Sequence, residues 1–279
     1  MSTQKPRISF EYFPPKTEQG RDKLIGTTTP ALNALDPAFF SVTYGAGGST
    51  RDTTLGVVST IRDAGIDVAP HLSFGGDDEN TVGNLLDTYQ ARGIKRLVAL
   101  RGDMPSGMGG PAQLVYADEL VAFIRERCGD HFHIEVAAYP EIHPEAKSYD
   151  SDIGFLKGKL DAGANSAITQ YFFNVESYFY FLDQCAAAGI DKPIYAGVMP
   201  IINFDNLVRF SKNCGAEIPR WICQRMATYG DDQDSIRKFG IEVVTQLCQT
   251  LLDSGAPGIH YYTMNQVQPT LEIHNNLGL

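Results

Sequence analysis

The chain has 279 residues, of which 43 % are hydrophobic and 20 % charged, so it can bury a substantial core as a globular protein. Its formal net charge is −10 and it has no block rich in Lys and Arg, which argues against nucleic acid and anionic membrane surfaces as partners. Because it lacks a signal-peptide-like start and a membrane-length apolar run, and its five cysteines form no C-x-x-C pair, we expect reduced thiols in a cytoplasmic protein.

Eight short runs rich in β-branched and aromatic residues predict strands. In chain order they are 7–13, 39–44, 67–74, 95–102, 133–139, 166–173, 193–200 and 258–264. Segments with helical periodicity lie between them, and the predicted helices include 52–64, 79–92, 112–128, 149–162, 175–188 and 232–253. Four helices end at a glycine that turns the chain into the next strand, at Gly65, Gly93, Gly163 and Gly189.

Strands that alternate with helices in this way favour an α/β fold, a TIM-type (β/α)8 barrel formed by a single domain over residues 1–279. The main alternative is an open, doubly wound sheet, which usually carries G-x-G-x-x-G directly after its first strand. Here the first strand is followed by PPKTEQG, and GAGGS at 45–49 lacks the full spacing. The barrel is therefore the predicted fold.

Active sites of such barrels lie at the C-terminal ends of the strands. Polar residues end seven of the eight predicted strands, namely Glu11, Tyr44, His71, Asp103, Tyr139, Gln170 and Asn265. The Arg-Gly-Asp sequence at 101–103 follows the fourth strand, so we expect it at this mouth and not in an adhesion loop. Structural alternatives remain open for a salt-bridged Glu11, a helix-capping Asp103 and a buried core His71.

Glu11 is the strongest catalytic candidate of this ring. It alternates with Phe10 and Tyr12, so if those two rings face the helices, its carboxyl group points into the barrel. An inward carboxylate is costly unless it is paired or protonated. We therefore expect burial to raise the pKa of Glu11, which suits a general acid.

Metal-dependent and nucleophile-elbow chemistry are not favoured. The His131-Phe-His133 sequence precedes the fifth strand and lies at the wrong end of the barrel for an active site. Glu141, His143 and Glu145 follow that strand, but the prolines between them suit a rigid loop that grips a ligand. No G-x-S-x-G motif occurs. The many aromatic residues near the strand ends suit a flat heterocyclic ligand better than a sugar phosphate.

Eight motifs closely resemble those of the methylenetetrahydrofolate reductase family, in the order found there. They are SFEYFPPK, SVTYGAGG, APHLS, LVALRGDMP, AAYPEIHPEAK, LKGKLDAGANSAITQYFF, GVMPIINF and HYYTMN. The resemblance extends from residue 8 to the C-terminus and is to the short bacterial form.

This resemblance implies a cytoplasmic, homo-oligomeric flavoprotein barrel that holds FAD tightly and non-covalently. NADH would reduce the FAD and leave, and 5,10-methylenetetrahydrofolate would then bind in the same site and take the hydride. The product, 5-methyltetrahydrofolate, would supply methyl groups for methionine synthesis. No metal, nucleic acid or membrane is implied.

The resemblance also assigns roles to residues of this chain. Glu11 matches the general acid that protonates N10 of the folate, and Asp103 matches an aspartate near the pyrimidine edge of the flavin. The flavin-binding positions are Tyr44, Ala46, His71, Arg101, Gly102, Asp103, Tyr116, Ala117, Tyr139, His143, Ala146, Asp152 and Lys159. The substrate-binding positions are Thr43, Gln170, Asn206, Phe210 and Gln266. Arg101, Lys147 and Lys159 would supply positive charge for a pyrophosphate.

Four positions depart from the family pattern. Phe155 and Gly158 occupy positions where an Asn and an Arg commonly contact FAD, Gln266 replaces an Arg, and Asn206 replaces a Gln. The resemblance thus supports binding of the pterin end of the folate better than binding of its glutamate tail. The alternatives are a flavin-free, pterin-binding one-carbon transferase on the same barrel and a catalytically silent barrel that binds folate or a partner.

Overall fold

A closed barrel of eight parallel strands forms the centre of the protein, in a computed structural model that describes residues 5–44, 51–74, 77–101 and 116–279. Each strand pairs with its sequence neighbours, and the last pairs with the first. The strands are β1 (Arg7–Tyr12), β2 (Phe39–Val42), β3 (Val68–Leu72), β4 (Arg96–Ala99), β5 (His133–Ala138), β6 (Ser166–Thr169), β7 (Ile194–Val198) and β8 (Gly258–Tyr262). The predicted (β/α)8 TIM-type barrel is confirmed.

Helices surround the barrel and connect its strands. They are α1 (Glu18–Lys23), continued by a π-helical turn (Leu24–Thr28) into α2 (Thr29–Asn33), α3 (Arg51–Asp63), α4 (Glu79–Ala91), α5 (Ala117–Cys128), α6 (Tyr149–Asp161), α7 (Val175–Ala187), α8 (Phe204–Cys214), α9 (Arg220–Ala227), α10 (Gln233–Asp253) and α11 (Gln268–Asn276). The predicted helices agree within one residue at their ends, except that α5 begins at Ala117 and not at residue 112, because Tyr116 is its N-cap and has an extended backbone. The helices α1, α2, α8, α9 and α11 were not among the predictions. Within the described ranges, no helix has the length and apolar character needed to cross a bilayer.

The alternation of side chains on β1 divides them between two environments. Ile8, Phe10 and Tyr12 are buried beneath the helices, and the Phe10 ring packs 5.6 Å from that of Phe40 on β2. Ser9 and Glu11 point the other way, into the barrel, as the alternation predicts. The first strand therefore delivers a carboxyl group to the C-terminal mouth of the barrel.

An ionic cluster fills the opposite, N-terminal end of the barrel interior. The fully buried carboxylate of Glu135 pairs with the guanidinium groups of Arg7 and Arg96, and it also accepts a hydrogen bond from Ser166. Burial opposes ionisation of Glu135, but these partners and His133 outweigh it and hold the pKa of Glu135 well below its ordinary value. This end of the barrel is packed and charge-compensated.

Candidate active site

Glu11 lies at the C-terminal mouth of the barrel among three polar side chains. Its Oε2 atom accepts a hydrogen bond from Ser41 Oγ at 3.1 Å and lies 3.3 Å from His260 Nε2. His71 Nε2 is 3.1 Å from the same oxygen but lacks hydrogen-bond geometry, so that contact is electrostatic. Side chains from β2, β3 and β8 thus meet at one carboxylate oxygen of Glu11, on β1.

The pKa of Glu11 differs from the sequence-based expectation. Burial alone would raise it, but the charge of His71 and the contacts of both imidazoles outweigh burial and hold the pKa well below its ordinary value. The expectation of a raised pKa was wrong because it counted burial without the two histidines. The carboxylate and the two imidazoles therefore act on one another and form one interacting group.

His260 extends this group into the barrel and was missed by the sequence-based assignment. Its Nδ1 atom lies 2.7 Å from Ser9 Oγ, so the imidazole is held between Ser9 and Glu11. The side chain is fully buried. A signal was available, because His260 alternates with Tyr262 on β8 and therefore shares the inward face.

Tyr262 crosses the interior next to this group. Its hydroxyl donates a hydrogen bond to the carbonyl oxygen of Thr169 at 2.7 Å. A Cβ atom on Gly197 would lie 2.0 Å from that oxygen and 2.8 Å from the Tyr262 ring. The absence of a side chain at Gly197 therefore makes room for the tyrosine beneath the mouth.

Ten residues that the resemblance assigns to flavin binding line one cavity of about 560 Å³. They are Tyr44, His71, Arg101, Tyr116, Ala117, Tyr139, His143, Ala146, Asp152 and Lys159. The cavity begins at His71, which contacts Glu11, and reaches Tyr116 and Phe155 at the helices α5 and α6. Ala46, Gly102 and Asp103 lie outside the described residues.

Three cationic side chains line this cavity. Arg101 forms a 2.6 Å ion pair with Glu145, and Lys159 Nζ donates to the carbonyl oxygen of Ala137 at 2.6 Å. Lys147 is the third. Burial lowers the pKa of Lys159 to about 8, against the opposing charges of Asp152 and Asp118. The cavity therefore offers a positive region to an anionic ligand although the chain is acidic overall.

Further contacts fix the orientation of the cavity walls. Tyr44 donates a hydrogen bond to Asp77 at 3.2 Å and accepts one from Arg51 at 3.2 Å. The rings of Tyr139 and His143 meet edge to face at 4.5 Å, and the Asp152 carboxylate accepts a hydrogen bond from the backbone N–H of His143. These contacts hold aromatic and polar groups in place before any ligand binds.

The positions assigned to substrate lie around the cavity and not within its lining. Gln170 lines a small crevice that shares Tyr139 with the cavity. Asn206 and Phe210 lie on α8, where Asn206 accepts a hydrogen bond from Arg209. Gln266 is exposed and Thr43 is half-buried. The structure therefore brings most of the predicted cofactor-binding residues to one cavity, whereas the predicted substrate-binding residues are more dispersed.

Asn265, a member of the predicted polar ring, has a structural role. Its side chain accepts a hydrogen bond from the backbone N–H of Phe13 at 3.1 Å and donates one to the Phe13 carbonyl oxygen at 2.8 Å. It thereby ties the end of β8 to the end of β1, next to Glu11. Within the described ranges, no cluster of three or more His, Cys, Asp or Glu side chains could hold a metal ion.

Fold and site together define a (β/α)8 barrel enzyme with a carboxylate and two imidazoles in contact at the mouth of a cavity lined by cationic side chains. The sequence profile of the family described as methylenetetrahydrofolate reductase matches residues 1–278. The chain is 39 % identical to the 5,10-methylenetetrahydrofolate reductase of Escherichia coli (strain K12) over 273 residues, which covers 98 % of this chain and 90 % of that protein. The chain belongs to the methylenetetrahydrofolate reductase family, whose members are oxidoreductases of folate one-carbon metabolism.

Other relatives agree with this assignment. The 5,10-methylenetetrahydrofolate reductase of Buchnera aphidicola subsp. Schizaphis graminum is 40 % identical over 276 residues, or 99 % of this chain and 93 % of that one. Methylenetetrahydrofolate reductase (NADH) 1 of Zea mays is 35 % identical over 286 residues, or 98 % of this chain and 48 % of that protein. A solved structure from Clostridium thermocellum, described as an uncharacterized protein that binds two copies of 5-methyl-5,6,7,8-tetrahydrofolic acid, has a TM-score of 0.70 and 19 % identity, and covers 98 % of this chain and 93 % of that one. At this identity the likeness supports the fold alone.

Proposed function

We propose that this protein reduces 5,10-methylenetetrahydrofolate to 5-methyltetrahydrofolate with NADH, through a bound FAD that serves both substrates in turn. The observation that carries the proposal is the single cavity lined by ten residues of the flavin-binding set, which touches Glu11 through His71. Its volume of about 560 Å³ falls within the roughly 300–1,000 Å³ typical of small-molecule sites. The product would supply methyl groups for methionine synthesis.

The chemistry of the cavity lining fits a flavin dinucleotide. Arg101, Lys147 and Lys159 present positive charge that suits a pyrophosphate, and the aromatic walls suit flat rings. Bound FAD would accept a hydride from NADH and donate it to the folate. The residues of the chain would bind the cofactor, orient it toward the mouth and exclude water. Asp103 and Gly102 would complete this set.

In this proposal Glu11 transfers a proton to N10 of the folate. His71 and His260 lie beside the carboxylate oxygen, and Ser41 and Ser9 fix the geometry of the group. Ligands that fill the mouth would displace water and strengthen the effect of burial, which favours the protonated carboxyl group. Gln170, Phe210, Thr43, Asn206 and Gln266 would contact the nicotinamide or the folate.

The visible absorption spectrum of the purified protein, recorded before and after anaerobic addition of NADH, tests the proposal. Flavin bands that bleach with NADH and return on addition of methylenetetrahydrofolate are the expected result. A colourless protein that takes up no FAD and oxidises no NADH would favour the flavin-free one-carbon transferase. The same titration with NADPH measures the preference between the two nucleotides.

We also propose a homo-oligomer that works in the cytoplasm. The five cysteines form no disulfide, which suits a reducing compartment. Sedimentation of the flavin-loaded protein would give the number of subunits, and a monomer at micromolar concentration would contradict the oligomer.

A further inference from the structure

Two large aromatic side chains that line the cavity are exposed. Phe155 is 60 % exposed and Tyr116 is 51 % exposed, and both line the cavity wall. The other exposed large hydrophobic residues of the described ranges, such as Trp221, lie outside that lining. An aromatic surface that faces a cavity and not the core suits a ligand with an apolar face.

Phe155 belongs to the cavity-facing side of α6. Asp152 lies three residues before it and Lys159 four residues after it, and these spacings bring all three side chains to one face of the helix. Ile153 and Leu156, by contrast, are buried in the core. The orientation of Phe155 is therefore not set by core packing.

The start of α5 adjoins this face of α6. Tyr116 caps α5, and a Cβ atom on Gly158 would lie 3.9 Å from a carboxylate oxygen of Asp118, in the first turn of that helix. This part of α6 therefore lies close to the first turn of α5. The two exposed aromatic residues thus flank the part of the cavity formed by α5 and α6.

We propose that Phe155, with Tyr116 beside it, forms the stacking surface for the adenine ring of the flavin dinucleotide. This inference rests on the proposed flavin-dependent function. Hydride transfer to a folate protonated by Glu11 requires the flavin ring near His71, and the cationic groups of the cavity take the pyrophosphate. The adenosine then extends to the wall formed by α5 and α6, where a flat aromatic face is exposed.

Binding of FAD and of FMN to the full-length protein freed of flavin tests this assignment. FMN lacks the adenosine, so it cannot use the proposed surface. We expect Phe155→Ala to raise the Kd for FAD roughly five- to tenfold and to change the Kd for FMN less than about twofold. Phe155→Tyr keeps an aromatic face and should bind FAD within about twofold of the wild type. Trp221→Ala removes an equally exposed aromatic residue outside the cavity and should leave both constants unchanged.

The outcomes separate this inference from the proposed function. An unchanged Kd for FAD in Phe155→Ala, or an equal weakening of FAD and FMN, would overturn the adenine assignment and leave the flavin-dependent reaction intact. A wild-type protein that binds neither FAD nor FMN would overturn both. Because Phe155 is exposed, the variant should fold, and its thermal midpoint serves as the check.

Discussion

Replacing Glu11 by glutamine separates the two halves of the proposed reaction. The carboxamide has the same size and keeps an oxygen that can accept the hydrogen bond of Ser41 and the contact of His260. It cannot donate a proton as an acid, and it loses the charge that faces His71 across 3.1 Å. The substitution therefore removes proton transfer while it disturbs the barrel little.

The expected magnitude follows from the role of Glu11. A positioned general acid contributes about 10²–10⁴-fold to a rate, or about 2.7–5.5 kcal/mol of activation free energy. Only folate reduction needs a proton at N10, so the loss should fall on that step. Bleaching of the flavin by NADH should stay within about threefold of the wild-type rate. Single-turnover absorbance measurements of the two half-reactions give both numbers.

Ser41→Ala is the matched control for this variant. It removes one hydrogen bond to Glu11 Oε2 but keeps the carboxyl group and both imidazoles, so we expect less than about a tenfold loss in folate reduction. If Glu11→Gln reduced folate within tenfold of the wild-type rate, the general-acid role would be wrong. An equal loss in both half-reactions would instead assign Glu11 to cofactor binding.

Further predictions concern the cavity charge and the barrel interior. Burial lowers the pKa of Lys159 to about 8, and its protonated form binds a pyrophosphate better, so FAD affinity should be greatest below about pH 8 and decline above it. Titrations from about pH 7 to 9.5 should lose this dependence in Lys159→Met, and a flat wild-type profile would contradict the assignment. Glu135→Ala leaves Arg7 without its buried partner and should cost about 3–5 kcal/mol of unfolding free energy, seen as a thermal midpoint lower by roughly 10 °C. Gly197→Ala would bring a methyl group 2.0 Å from the Thr169 carbonyl oxygen, so a melting curve equal to wild type would refute the close packing described there.

Most of the fold could be predicted from the sequence because each strand is a compact apolar run followed by a helix. The ends of the strands were less predictable. The sixth predicted strand extends to residue 173, whereas β6 ends at Thr169. Tyr171, Phe172 and Phe173 continue the strand-like composition, but they are buried as packed loop residues. An apolar composition indicates that residues are buried, and here the buried segment extends beyond the last residue that pairs in the sheet.

Individual site residues could be predicted from their identity and their place at strand ends. The contacts between side chains from distant strands were less predictable. Glu11 and His71 were chosen from their places at strand ends, and the structure brings them into contact. His260 lies 249 residues from Glu11 in the chain, and only closure of the barrel through the pairing of β1 with β8 makes them neighbours. The direction of the Glu11 pKa was missed for the same reason, since it depends on charges that approach from distant strands.

The two acidic groups inside the barrel show why one end is suited to chemistry. At the N-terminal end, both carboxylate oxygens of Glu135 are engaged and its side chain is fully buried, so proton exchange there would break an ion cluster. At the C-terminal mouth, the polar contacts of the Glu11 carboxylate with described residues are all made by Oε2, and the side chain keeps 16 % exposure. A carboxyl group with one oxygen held by imidazoles and the other without a partner among the described residues can exchange a proton with a ligand without disrupting the fold. The same barrel thus uses one carboxylate for stability and leaves the other available for catalysis.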